Sequence, residues 1–382
     1  MDFPLDQYQL KDASRLLTPA LLVYMDYVDS NIEATLKMVG GDANRWRPHI
    51  KTAKIPAVLR RMMAHGVRSF KCSTTLELLT ACQVEAHDVL IAFAVTGANA
   101  ERVVQIARQF PQTRISVLVE AAAQVQLWRD TGLGVFIDVN PGMDRTGIGQ
   151  DRAVEVLELA RAAGTAFRGL HYYDGHMSGV AASERESRAH GGYDHLTALA
   201  KALSSAGVPP QEVITSGTPA APYGYSYHGF ASNVFLHRIS PGTVVYNDTT
   251  SLEQLRGFGY RPAVTVLSTV ISHPTLTRVT CDGGHKSVSA DAGVPTCSVV
   301  GHAYLQPLKP SEEHLPLEVG AGARVPAIGD RLYLLPRHVC PTVNNFDEAL
   351  IIEDGQICGV ERVSARGHES PLALIPDLAA IS

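Results

Sequence analysis

The sequence lacks most features that direct a protein to nucleic acid, into a membrane or out of the cell. Its 33 Lys and Arg are outnumbered by 38 Asp and Glu, a formal net charge of −5, so no basic surplus offers a phosphate backbone a grip. No apolar run approaches the ~20 residues of a spanning helix. The opening residues, Met1 to Asp6, have neither the basic start nor the apolar stretch of a secretory signal, and a cytoplasmic protein is the expectation. Six cysteines (Cys72, Cys82, Cys281, Cys297, Cys340 and Cys358) include no CxxC pair. In a chain this long they do not form a disulfide framework, and they fit a reducing compartment.

What is present is ample core. Of 382 residues, 45% are hydrophobic and 19% charged, which excludes wholesale disorder and allows a large barrel plus a smaller partner. From about Asn44 to Asn247, short β-rich runs alternate with longer helical patterns. The expected strands are Arg47 to Ile50, Ser69 to Ser73, Val89 to Phe93, Ile115 to Glu120, Val135 to Asn140, Gly169 to Tyr173, Val213 to Ser216 and Arg238 to Val244. They are continuous apolar stretches, as parallel strands buried on both faces require. Eight strand–helix units fit a (β/α)8 barrel, with an open doubly wound sheet as the competitor. After Asp248 the runs become short and are broken by Pro, Gly and polar turns: Val264 to Ser272, Thr277 to Cys281, Ser298 to Tyr304, Arg331 to Leu335, Ala349 to Glu353 and Gln356 to Val363. The expected fold class is therefore α/β, a (β/α)8 barrel over residues 18–248 followed by a β-rich C-terminal domain over 249–382. The N-terminal residues 1–30 are expected to pack with the second domain.

Barrel enzymes carry their chemistry just after the strands. Lys51 ends the first strand candidate. It is either a solvated loop lysine or, among apolar neighbours and a second cation, an amine of depressed pKa suited to forming an imine. The turns Thr215-Ser216-Gly217-Thr218 and Pro241-Gly242-Thr243 follow the seventh and eighth strand candidates, where barrels hold phosphate. His338 and Cys340 stand two apart in what reads as an extended segment, so imidazole and thiolate point the same way and one soft cation can bind both. A lone HxC also arises by chance. Two ligands leave room for water or substrate, which suits a catalytic metal rather than a structural one.

These pieces, in this order, resemble the D-threonine aldolase and D-serine dehydratase family: Pro48-His49-Ile50-Lys51-Thr52, Asp144-Arg145-Thr146-Gly147, the two phosphate turns, Ser311-Glu312-Glu313-His314, and His338-Val339-Cys340-Pro341-Thr342-Val343-Asn344. The resemblance runs from about Thr18 to Gly367. It implies the alanine-racemase type of pyridoxal-phosphate fold, a barrel followed by a β domain, and a homodimer. Lys51 then holds pyridoxal phosphate, while Gly217, Thr218, Gly242 and Thr243 cradle its phosphate with Thr215 beside them. Arg145 matches an arginine near the ring hydroxyl and Tyr173 an active-site aromatic residue, against alternatives of a surface ion pair and a core tyrosine. His338 and Cys340 match the family's metal pair, expected to hold Zn²⁺ or Mn²⁺.

Two departures stand out. Where alanine racemase has an arginine facing the pyridine nitrogen, this chain has the neutral Ser240. The ligand pair His-x-Cys is dehydratase-like, whereas Pro-Thr-Val-Asn and Val363-Ser364-Ala365-Arg366-Gly367 are aldolase-like. His176, after the sixth strand candidate, is the candidate general base, with His314 as its rival. The expected function is a pyridoxal-phosphate and divalent-metal lyase on a small β-hydroxy D-amino acid. Aldol cleavage to glycine and an aldehyde is favoured over a D-serine or 3-hydroxyaspartate dehydratase. A racemase and a non-catalytic cofactor carrier rank behind both.

Overall fold

A computed structural model describes residues 3–231 and 234–375. The chain divides into two compact units that interleave in sequence. One comprises Thr35–Lys51, Met62–Gly242 and Gly367–Ser382; the other comprises Met1–Ala34, Thr52–Arg61 and Thr243–Arg366. No described helix is long and apolar enough to cross a membrane.

The first unit is built on seven successive parallel strands: Ser69–Cys72, Asp88–Ile91, Arg114–Val119, Gly134–Asn140, Phe167–His171, Glu212–Thr215 and Leu236–Ile239. The eighth place belongs to the segment 46–50, which was expected to be a regular strand and is not one. It makes only two isolated parallel bridges, Trp46 to Ile239 on one side and His49 to Lys71 on the other. Pro48 explains the interruption, since it has no N–H to give to a ladder. The hydrogen bonds that remain, Arg47 N to Ile239 O, Ile50 N to Lys71 O and Lys71 N to Pro48 O, still join the last strand to the first. Seven strands and this bridging segment thus make a barrel, and the second unit is rich in strands.

Strand residues two apart face the same way, so the barrel interior fills in layers. Arg47, Asp88, Arg168, Glu212 and Arg238 form a buried ion cluster, with Arg47 fully buried and its guanidinium 3.0 Å from Asp88 and 2.9 Å from Glu212. Above it, Leu90, Leu118, Phe136 and Ile214 form an apolar layer. Two residues further along the strands, Asp138 and Ser240 follow Phe136 and Arg238 into a polar layer that also holds Lys71 and His171. Arg168 and His171 are three apart, yet both reach interior partners. A bulge makes this possible: Val135 pairs with Phe167 and Phe136 with Gly169, so Arg168 is the extra residue. Gly169 is required there because a Cβ would lie 1.7 Å from the Glu212 carbonyl oxygen.

The second unit centres on the 12-residue strand Val264–Thr275, which pairs antiparallel with Ala20–Tyr24, Arg278–Cys281 and Arg331–Pro336. Ala20–Tyr24 also runs parallel to Glu348–Glu353, which forms a hairpin with Gln356–Arg362. Leu21, Leu22, Val23, Val264, Val266 and Leu334 make its core, each at most 1% exposed. The expected strand Ser298 to Tyr304 breaks after Val299, and Leu315–Val319 is a strand that the sequence reading did not contain.

Candidate active site

In the barrel unit a cavity of about 630 Å³ opens where the strands end, within the range that small-molecule sites occupy. Lys51, Arg145 and Tyr173, three of the expected site residues, line it together. The Tyr173 ring is the common neighbour: Lys51 Nζ lies 5.6 Å from its centroid, Lys71 Nζ 5.4 Å and the Arg145 guanidinium 5.1 Å. Such approaches attract through the ring quadrupole. Lys51 is presented by the turn after Pro48, where its backbone N–H donates to His49 Nδ1 at 3.1 Å and His49 Nε2 meets Ser73 Oγ at 2.9 Å.

A second cation does stand beside Lys51, the amine of Lys71, which approaches the same ring. Burial, and then the charge of Lys51, push the Lys71 amine down to about 7 against the pull of Asp138. Lys71 donates to Ser240 Oγ at 2.8 Å and meets His171 Nε2 at 2.9 Å, while His171 Nδ1 lies 2.7 Å from Asp138 Oδ1. Burial lowers the His171 imidazole, and Lys71 adds to that. Burial alone would raise Asp138, but its hydrogen bond and charge interaction with His171 outweigh burial and hold it low. None of these three residues was singled out from sequence. The signal was there in Phe70-Lys71-Cys72, a lysine inside an otherwise apolar strand.

The phosphate turns are ordered by other contacts. Gly217 N donates to Asp174 Oδ1 at 3.0 Å, and a Cβ at Gly217 would lie 3.0 Å from the Tyr173 ring. Burial raises the Asp174 carboxyl, which Tyr193 Oη also reaches. Thr215 is fully buried, its hydroxyl 2.8 Å from His237 Nε2 and 2.9 Å from Ser216 Oγ. Thr218 begins a short 3-10 turn, Thr218–Ala220. A Cβ at Gly242 would lie 2.2 Å from the His49 carbonyl oxygen, so this glycine lets two backbones touch. His176 lies in the turn Gly175–Gly179, outside the cavity lining, and its buried Nδ1 has no hydrogen-bond partner among the described residues.

Thr243, His338 and Cys340 lie in the second unit. The expected extended His-x-Cys segment is not extended: His338 is an N-cap, and Val339–Asn344 is a helix that Asp248 caps at the Val339 N–H. Pro341 fits because the first helical turn needs no N–H at that position. The two groups nevertheless act on each other electrostatically, the thiol raising the imidazole. Cys340 Sγ lies 3.0 Å from Thr52 Oγ1 and 3.7 Å from Thr243 Oγ1, and His338 Nδ1 lies 2.6 Å from Asp291 Oδ2. Burial would lower the His338 imidazole, but Cys340 and Asp291 together raise it to about 9. Among the described residues no group of three or more His, Cys, Asp or Glu is gathered as a metal site. The donor pair suits a borderline divalent cation, and a carboxylate behind the imidazole is the usual support of a ligating histidine. Such an ion must displace the imidazole proton and complete its shell from solvent or substrate. His314 is exposed and bonded locally, its N–H donating to Ser311 Oγ.

Comparison with known proteins agrees with this layout. Residues 23–250 match the family model described as "Alanine racemase, N-terminal domain", and residues 263–352 match "Putative serine dehydratase domain". The chain is 28% identical to a D-threonine aldolase of an Arthrobacter species, covering 93% of this chain and 94% of that one. It is 26% identical to a 3-hydroxy-D-aspartate aldolase of Paracoccus denitrificans (93% and 94% covered). A D-threo-3-hydroxyaspartate dehydratase of a Delftia species is 25% identical (91% and 97%). The crystal structure of a D-threonine aldolase from Filomicrobium marinum superposes with a TM-score of 0.83 at 25% identity, covering 93% and 96%. These relatives are aldolases and a dehydratase, all of them lyases.

Proposed function

The chain belongs to the alanine racemase N-terminal domain family, and from that membership we propose that it is a pyridoxal-phosphate and divalent-metal lyase acting on a β-hydroxy D-amino acid. Aldol cleavage to glycine and an aldehyde is the first reading. The observation that carries it is the cavity in which the Lys51 amine and the Arg145 guanidinium both approach the Tyr173 ring. The residues fit the cofactor: a covalent anchor in Lys51, a cation for an anionic ring oxygen in Arg145, and an aromatic wall in Tyr173. Thr215, Gly217, Thr218, Gly242 and Thr243 are assigned to the phosphate end. Pyridoxal phosphate, once bound, supplies an electron sink for the bond broken at the substrate α-carbon. His338 and Cys340 are assigned to the metal, whose charge would favour loss of a hydroxyl proton. His176, in the turn after the fifth strand of the barrel sheet, is assigned to take that proton.

The dehydratase reading is kept because Cys340 occupies the second ligand position, as in the dehydratase-like pair. In that form Lys51 removes the α-proton instead. Incubation with D-threonine and with D-serine, each with Zn²⁺ or Mn²⁺, decides between them. Glycine plus an aldehyde supports the aldolase, a keto acid supports the dehydratase, and neither product sinks the lyase reading.

A further inference from the structure

Lys51 accounts for the covalent anchorage, which leaves a second amine in the same cavity without a task. Lys71 is 1% exposed, and its hydrogen bonds are directional. The Ser240 hydroxyl hydrogen goes to the Thr215 or Ser216 carbonyl, each 3.1 Å away, so its oxygen accepts from Lys71. His171 Nδ1 faces a carboxylate held low and therefore carries the ring proton. Its Nε2 is thus a lone pair, and it too accepts from Lys71. Asp138 is fixed in turn by Thr146 Oγ1, which donates to Oδ2 at 2.8 Å. Two N–H bonds of Lys71 are committed in this way. The third position is an N–H when the amine is charged and a lone pair when it is neutral, with the Tyr173 ring 5.4 Å from Nζ.

We infer that Lys71 is an acid–base group of the cavity, exchanging a proton with the molecule bound there while His171 and Asp138 hold it in place. The step is balanced. The third N–H bond breaks, its proton moves to a basic atom of the bound molecule, and the electron pair stays on Nζ; the reverse restores the ammonium. The charged groups that act on Lys71 and its partner His171 are Lys51, Arg47, Asp138, Asp174 and Arg145. With burial they bring the amine to about 7, where both forms are populated at neutral pH.

The inference rests on the proposed cofactor only for its probe, and two measurements keep the readings apart. The first is a pH titration of the lysine ε-carbons by NMR in the full, unloaded chain. One resonance is expected to titrate near neutrality and to be missing from Lys71→Arg; if every lysine stays charged up to about pH 9, the inference is overturned. The second is the absorbance of the chain loaded with pyridoxal phosphate, followed across the same range. The wild type should show a spectral midpoint near neutral pH, Lys71→Met and Lys71→Arg should lose it, and Asp138→Asn should move it lower. An unmoved midpoint in Lys71→Met overturns the inference. If the wild type shows no cofactor band at all, the cofactor reading fails and the NMR titration alone decides Lys71.

Discussion

Lys51 Nζ stands 5.6 Å from the centroid of the Tyr173 ring, and Lys71 Nζ reaches the same ring at 5.4 Å. Two amines beside one aromatic ring make the identity of the cofactor lysine an experimental question. Lys51 is the one on a turn, where a covalent bond can form and exchange; Lys71 lies inside a strand, with two hydrogen bonds to lose. Lys51→Ala is therefore expected to abolish the borohydride-reducible cofactor bond and nearly all turnover. Peptide mapping after reduction checks it, and a label on Lys71 in the wild type would reverse the assignment.

Gly242 bears on that anchor from behind. Its neighbour is the carbonyl of His49, in the segment that carries Lys51. A backbone oxygen cannot swing away as a side chain can, so even Gly242→Ala must displace the segment 46–50. The expected cost is about 1–3 kcal/mol of stability, the usual penalty for overpacking. A urea melt should show that loss together with weaker retention of pyridoxal phosphate. Wild-type stability and retention would mean that the two backbones have slack.

The ion cluster in the barrel makes stability depend on acid. Burial alone would raise the Asp88 carboxyl, but Arg47 and Arg168 outweigh it and hold the group well below its ordinary value. A group depressed in the folded state stabilises fully above its unfolded pKa of ~3.9, and the contribution disappears as pH falls toward the folded value. Arg47→Met removes the guanidinium shared by Asp88 and Glu212 and should cost about 3–5 kcal/mol at neutral pH. Acid unfolding should then begin at a higher pH than in the wild type. An unchanged acid transition would show that Arg168 suffices for Asp88.

The barrel was legible because its strands are apolar throughout, and seven of them fall within three residues of the expected positions at each end, apart from the C-terminal end of the last. The eighth was misread as regular because its sequence looks like a strand until Pro48 is asked for an N–H. Leu315–Val319 was missed for a related reason, since Pro316 interrupts the alternation of its side chains. The His-x-Cys pair was found by residue type while its backbone was misjudged. Asp248, 91 residues away, caps the helix there, and no local pattern shows this. Lys71, His171 and Asp138 escaped because chemistry was sought after the strands, whereas these side chains project from within them.

His176 has a buried Nδ1 with no hydrogen-bond partner among the described residues. An unpaired ring nitrogen costs about 1–3 kcal/mol, a penalty tolerated where a ligand or proton is to be received. His176→Gln keeps comparable bulk and removes the base. Cleavage of D-threonine is expected to fall by about 10²–10⁴-fold with the cofactor band unchanged. If kcat survives within a factor of a few, His176 is a structural residue of its turn.

The metal pair leads to the sharpest separation of roles. His338 and Cys340 stand two apart, with Thr52 meeting the thiol and Asp291 the imidazole. Thr243, 3.7 Å from Cys340 Sγ, is a neighbour that is also assigned to the cofactor phosphate, but Lys51, assigned to hold the ring, is not among them. Chelation is therefore expected to remove lyase activity while leaving the absorbance of the lysine-bound cofactor intact, with Zn²⁺ or Mn²⁺ restoring turnover. Sulfur favours Zn²⁺, so Cys340→Asp should retain an ion but shift the preference toward the harder Mn²⁺ or Mg²⁺. Full activity in protein stripped of metal would make His338 and Cys340 structural. Loss of the cofactor band together with the metal would instead tie the ion to cofactor anchorage, because a metal that acts only on the substrate hydroxyl has no hold on the lysine-bound ring.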